Sequence, residues 1–269
     1  MYNPAQNWGR MHRELLLLVL LVVCGIVLTI NGSRVKAVPG SSIAGIRNPG
    51  LAMEFASSAS EVSGLLDMKD PDQAARNRSA LRIQQWIDFL FIFLYWALFF
   101  YVIGGAMLKS AAPTASALGI ALAILITIAA LADVLEDIGI LLALRPQYNG
   151  GFWPFHFGVT KWLCFFLALL VSSQFFLRYP RLGTFPVTPS WWHFLAIVIG
   201  VFFLGSSLIG LAGTLGAIRG NGAWIIVASY GFPLPFLLLL IWFGVGTLTH
   251  SSRPVAAQPT VLENSKKLL

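Results

Sequence analysis

The chain has 269 residues, 57% of them hydrophobic and only 11% charged, with a formal net charge of +7. Soluble domains average about 25% charged residues, whereas the mean hydropathy here is +0.76. A soluble enzyme, a nucleic-acid-binding domain and a disordered chain are excluded. Apolar runs long enough to cross a bilayer recur along the sequence, so the chain reads as a polytopic membrane protein whose first partner is lipid. The basic residues gather at the ends of those runs, where anionic lipid favours them, and form no aromatic-interleaved stripe for nucleic acid.

Residues 1–30 hold an amino-terminal tail and a first span, Leu15 to Ile30, preceded by Arg10, Met11, His12 and Arg13. Val35-Lys36-Ala37 has the form of a signal-peptidase site, but it lies well past the end of the apolar run. A retained anchor helix is therefore expected. Residues 31–85 read as an exported loop, rich in Pro, Gly and Ser in its first half. Within it Leu51, Phe55, Val62, Leu65 and Leu66 follow a helical stripe that Gly64 interrupts, which predicts an amphipathic interfacial helix. Ser58-Ala59-Ser60-Glu61 has capping-box form. Asp70-Pro71 then opens a helix that passes Arg76, Arg78 and Arg82 and runs unbroken into the second span.

Residues 86–177 carry spans two to four, drawn at Trp86 to Met107, Ala115 to Leu144 and Phe155 to Leu177. Residues 178–190 form a linker with Pro180, Pro186 and Pro189. Residues 191–249 supply a fifth span, Trp191 to Ile218, and a sixth, Ala223 to Thr249; residues 250–269 are a tail. Ser206/Gly210 and Gly213/Ala217 have the spacing that lets helices approach closely, and Gly231, Pro233 and Pro235 should kink the sixth span. The expected fold is an all-α transmembrane bundle of six spans. Counting Lys and Arg at span ends puts both termini in the cytoplasm and the chain in the inner (plasma) membrane. Cys24 and Cys164 both lie inside apolar runs and set up no disulfide framework.

Ionisable groups inside spans are costly, so each is a candidate site residue. There are five: Asp88 in span two, Asp133, Glu136 and Asp137 in span three, and Lys161 in span four. The i, i+3, i+4 spacing of the three acids in span three puts them on one helical face. At a rise of ~1.5 Å per residue, Asp88 lies about 9 Å from Arg82, Asp137 about 12 Å from Arg145 and Lys161 about 10 Å from Pro154. The groups thus share one depth, in the outer half of the bilayer. Four carboxylates against one ammonium need compensation: protonation, recruitment of Arg82, or a bound cation. An ion-pair network that merely locks the three spans together would use the same residues. Tyr95, seven residues after Asp88 on its face, extends the polar track or packs in the core; His156 faces the cluster or anchors the interface beside Trp153 and Phe155. The four histidines (His12, His156, His193, His250) show no paired spacing for zinc, and no cofactor is predicted beyond that possible cation.

The segments Met53-Glu54-Phe55-Ala56, Ile87-Asp88-Phe89-Leu90-Phe91-Ile92-Phe93-Leu94-Tyr95, Ala132-Asp133-Val134-Leu135-Glu136-Asp137 and Lys161-Trp162 follow one another in an order that resembles a family of small uncharacterised bacterial four-span membrane proteins. That family has an Asp-x-x-Glu-Asn-type motif in its third span. The resemblance covers about residues 50 to 177, departs at Asp137, where the family has Asn, and leaves the last two spans as additions. It implies no activity; it supports the same site and adds Glu54 as an outer lid residue. Three functions are compatible with these residues. One is a proton- or cation-linked transport or binding protein. The second is a non-catalytic subunit or assembly factor, docking as a homo-oligomer or in a larger complex through spans five and six. The third, least supported for want of a nucleophile or phosphate-binding motif, is an intramembrane enzyme acting on lipid.

Overall fold

The computed structural model describes residues 4–67, 69–108, 113–145, 148, 150–178, 190–222, 224–227 and 236–241. The described chain is helical: α1 (Pro4–Gly32), α2 (Pro49–Met53), α3 (Ala59–Leu66), α4 (Pro71–Ala97), a π-helical segment (Leu98–Gly104), α5 (Gly105–Leu108), α6 (Pro113–Ala143), α7 (Phe155–Arg178) and α8 (Ser190–Ile218). Five stretches are long and apolar enough to cross a membrane: Arg13–Gly32, Pro71–Leu108, Pro113–Ala143, Phe155–Arg178 and His193–Ile218. This is a multi-pass membrane protein. The expected sixth span falls mostly outside the described residues, which include only helical pieces at 224–227 and 236–241.

The helix ends follow from local chemistry. Asp70 caps α4 by accepting from the Asp72 amide at 2.9 Å, with Pro71 at the first helical position. Ser58 caps α3 by accepting from the Glu61 amide, as its capping-box form predicts; the Glu61 carboxylate reaches back instead to the amide and hydroxyl of Ser57. Gly220, at φ +78°, ends α8. Its amide donates to the Ala217 carbonyl and that of Asn221 to the Gly216 carbonyl, a Schellman closure that needs a left-handed residue. No side-chain reason is evident for the π-helical turns at Leu98–Gly104; they follow Trp96, whose indole donates to Thr127 on α6 at 3.1 Å.

Two apolar cores result. In the larger, Phe99 from the π segment meets the rings of Phe165, Phe203 and Phe236 at centroid distances of 5.8, 6.2 and 6.0 Å. Phe166 packs directly over Gly210, so that small position of α8 is filled from α7 of the same chain. The smaller core lies at the end where the 33–70 segment sits. There Val62, Leu65 and Leu66 of α3, with Phe55 and Met53, are buried with Ile140 and Ala143 of α6 and Leu144 just beyond it. The apolar stripe in the first loop thus faces protein at those positions.

Three polar contacts fasten this end. The Phe155 amide donates to the Ala56 carbonyl, the Gly222 amide to the Ala44 carbonyl, and Arg82 to the Leu144 carbonyl. Asn77, fully buried on α4, pins the segment from the other side. It accepts from the Lys36 amide at 3.0 Å and donates to the Lys36 carbonyl at 2.7 Å and the Leu66 carbonyl at 3.4 Å. Asn77→Ala strands these buried backbone groups and should cost about 1–3 kcal/mol. The expected outcome is a lower thermal midpoint together with faster proteolysis between residues 33 and 70; unchanged proteolysis would show that the apolar contacts alone hold the segment.

Candidate functional site

The cluster forms where α4, α6 and α7 meet beneath α2. Asp133, Glu136 and Asp137 project from one face of α6 and are 5%, 1% and 0% exposed. Lys161 enters from α7, 6% exposed. Its Nζ lies 2.9 Å from Glu54 Oε2, 3.0 Å from Asp133 Oδ1 and 2.9 Å from Glu136 Oε2. The ammonium donates a hydrogen bond to Glu136 Oε1 at 2.9 Å, and its ion pairs join two carboxylates of α6 and one of the loop. The charge also rests 5.1 Å from the centroid of the Trp162 ring.

Glu54, at the carboxy-terminal cap of α2, is brought in from the loop. The Trp162 indole donates to its Oε2 at 2.6 Å, a contact spanning 108 residues of sequence. Burial raises the Glu54 carboxyl above its ordinary value, and the Lys161 ammonium only partly offsets this. The close approach depends on Gly158, one turn before Lys161: a Cβ there would strike the Glu54 carbonyl oxygen and crowd Glu136 Oε2 at 3.2 Å.

A second group of acids adjoins the first. Oxygens of Asp88, Asp133 and Asp137 lie within 4.8 Å of one another. Asp133 belongs to both groups, since its Oδ2 accepts from the Tyr95 hydroxyl at 2.9 Å while Oδ1 faces Lys161. Asp88 is partly exposed. Asp137 is wholly buried, and neither of its carboxylate oxygens has a hydrogen-bond partner.

The structure therefore brings together Asp88, Asp133, Glu136, Asp137 and Lys161, and joins Glu54 and Tyr95 to them. Arg82 stays apart: it is exposed and donates to the Leu144 carbonyl at the end of α6. His156 also stays apart, exposed on the first turn of α7 with its ring against Phe155. Trp162 and Gly158 were not singled out as site residues by composition or spacing. The signal for Gly158 was its position one turn from Lys161 on the same face; none pointed to the indole hydrogen bond. Gln85, one turn before Asp88 on α4, is a further buried group whose Oε1 has no partner. No protein family matches the chain, and no curated protein or solved structure matches it significantly.

Lys161→Met removes the sole ammonium among these residues and leaves the acids facing one another. Breaking a buried pair from one side costs about 3–5 kcal/mol. Glu136→Gln keeps the shape and lowers the negative excess, so its loss should be less than half as large. Thermal unfolding of the two purified variants in one detergent checks this; equal midpoints would contradict a net-acidic cluster.

Proposed function

We propose that this chain is a proton- or cation-linked transport or binding protein of the plasma membrane, with its site at Asp88, Asp133, Glu136, Asp137 and Lys161 and Glu54 as the outer lid. One observation carries the reading: Asp137 is fully buried with both carboxylate oxygens unpartnered, while the only ammonium in the cluster is already committed to three other carboxylates. A buried uncompensated charge is expensive, and the chain would not hold one without something mobile to neutralise it. In this reading the 33–70 segment lies outside, the termini are cytoplasmic, and the site opens toward the segment that bears Glu54. The resemblance to the bacterial four-span family agrees with this set of residues.

A second reading has one observation in its favour. Lys161 ties α2, α6 and α7 together, which is what a structural lock in a non-catalytic subunit or assembly factor requires. It leaves Asp137 unexplained, and so ranks second. Co-purification of a stoichiometric partner, through the last two spans, would favour it.

The test is flux into proteoliposomes holding the full chain, under imposed gradients of H+, Na+, K+, Ca2+ or Mn2+. Protein-dependent uptake of one of these is expected, at least tenfold lower in Asp137→Asn and unchanged in His156→Ala, whose side chain is outside the site. Uptake that ignores Asp137→Asn, or no protein-dependent uptake and no saturable binding of any of the five, would refute the proposal.

A further inference from the structure

We infer that Asp88, Asp133 and Asp137 form a centre for one oxygen-coordinated divalent cation, separate from the Lys161 ion-pair group although it shares Asp133 with it. This rests on the functional reading above and narrows it to a chemical class. The three residues offer one carboxylate oxygen each, all within 4.8 Å of one another. A Ca2+ ion binds oxygen at about 2.3–2.6 Å, so oxygens about 4.8 Å apart can touch it from opposite sides. Mg2+ or Mn2+, with shorter bonds, would draw the same three oxygens slightly inward.

Three features make this more than a group of acids. The first is Asp137: completely buried, both oxygens without a partner, with an oxygen directed at those of Asp88 and Asp133. The second is that Lys161 is engaged elsewhere. Its ammonium lies 2.9–3.0 Å from oxygens of Glu54, Asp133 and Glu136 and, among the described residues, pairs with neither Asp137 nor Asp88. The third is donor chemistry. Carboxylates alone, with neither imidazole nor thiolate in the group, suit the hard cations Ca2+, Mg2+ and Mn2+ over zinc or copper. Tyr95 donates to Oδ2 of Asp133, fixing the plane of that carboxylate as outer partners of metal ligands do. Asp88, only partly buried, is the edge through which an ion and its remaining waters would enter. Five carboxylates, if all ionised, would leave an excess of four negative charges around one ammonium, and a divalent ion would halve it.

The experiment uses the full chain in nanodiscs, stripped with chelator and then titrated with Mn2+, whose free aqueous ion is read by electron paramagnetic resonance. One saturable Mn2+ per chain, displaced by Ca2+, is expected. Asp137→Asn and the partly exposed Asp88→Asn should each weaken binding at least tenfold, while His156→Ala, exposed and outside the cluster, changes it less than threefold. If Asp137→Asn does not fold, Asp88→Asn decides alone. No saturable Mn2+ in the wild type, or equal binding in wild type and Asp88→Asn, overturns the inference. The two proposals fail separately: proteoliposomes that carry H+, Na+ or K+ through an Asp137-dependent route, with no Mn2+ bound, would sink the divalent centre and leave a cation-linked function standing.

Discussion

One ammonium with three donors organises the polar part of this protein. Lys161 reaches Glu54, Asp133 and Glu136 at once. With water excluded, these bonds have no cheap substitute, so they set the rotation of α6 against α7 and the height of α2 above both. The Trp162–Glu54 hydrogen bond and the Phe155–Ala56 backbone contact act at the same junction. Gly158 lets the backbone of the loop sit low enough for all of them. The loop is thus fastened by charge at one point and by Asn77 at another, with apolar burial between.

Such a network is a poor source of net stability. Taking several ions out of water costs several kcal/mol for each, roughly what their attraction returns. Its value lies in what it forbids: any arrangement of α2, α6 and α7 that leaves the Lys161 charge unmatched is far more costly. The apolar packing around Phe99, Phe165 and Phe203 tolerates small shifts, while a three-way ion pair at 2.9–3.0 Å does not. Rings supply the adhesion and Lys161 selects the geometry. The same engagement leaves the Asp137 carboxyl without a hydrogen-bond partner among the described residues.

The spans were legible because a bilayer imposes length and apolarity together, and few soluble sequences satisfy both. The face formed by Asp133, Glu136 and Asp137 followed from helical spacing, and the common depth of Asp88, Asp137 and Lys161 from helical rise. The partition within the cluster was not legible. It depends on which three oxygens reach Nζ, and on rotamers that spacing does not encode. Glu54 lies more than a hundred residues from Lys161, and only the family resemblance drew attention to it. Arg82 looked like a counter-ion because it is one and a half turns from Asp88; its long side chain extends the other way, to the end of α6. The stripe in the first loop divides between α2, with Leu51, and α3, with Val62, Leu65 and Leu66, leaving Phe55 between the two helices; Gly64 does not break α3, since a single glycine in a packed helix costs only ~1 kcal/mol.

The order in which these groups are synthesised gives the length of α6 a meaning. Asp133, Glu136 and Asp137 are synthesised, and emerge from the ribosome, ahead of Lys161, so the acids of α6 reach the bilayer before their ammonium. An Asp near the centre of a span opposes insertion by about 2.5–3.5 kcal/mol, and each Leu, Ile, Phe or Val favours it by about 0.3–0.6. At 31 residues, α6 is longer than a single crossing needs, and its Ile- and Leu-rich turns offset the acids. Until α7 follows, α6 is an inserted helix in search of a cation. The α6–α7 hairpin is therefore the first point in biogenesis at which the site has both signs of charge, and Glu54, made long before either helix, has no ammonium to meet until α7 is made.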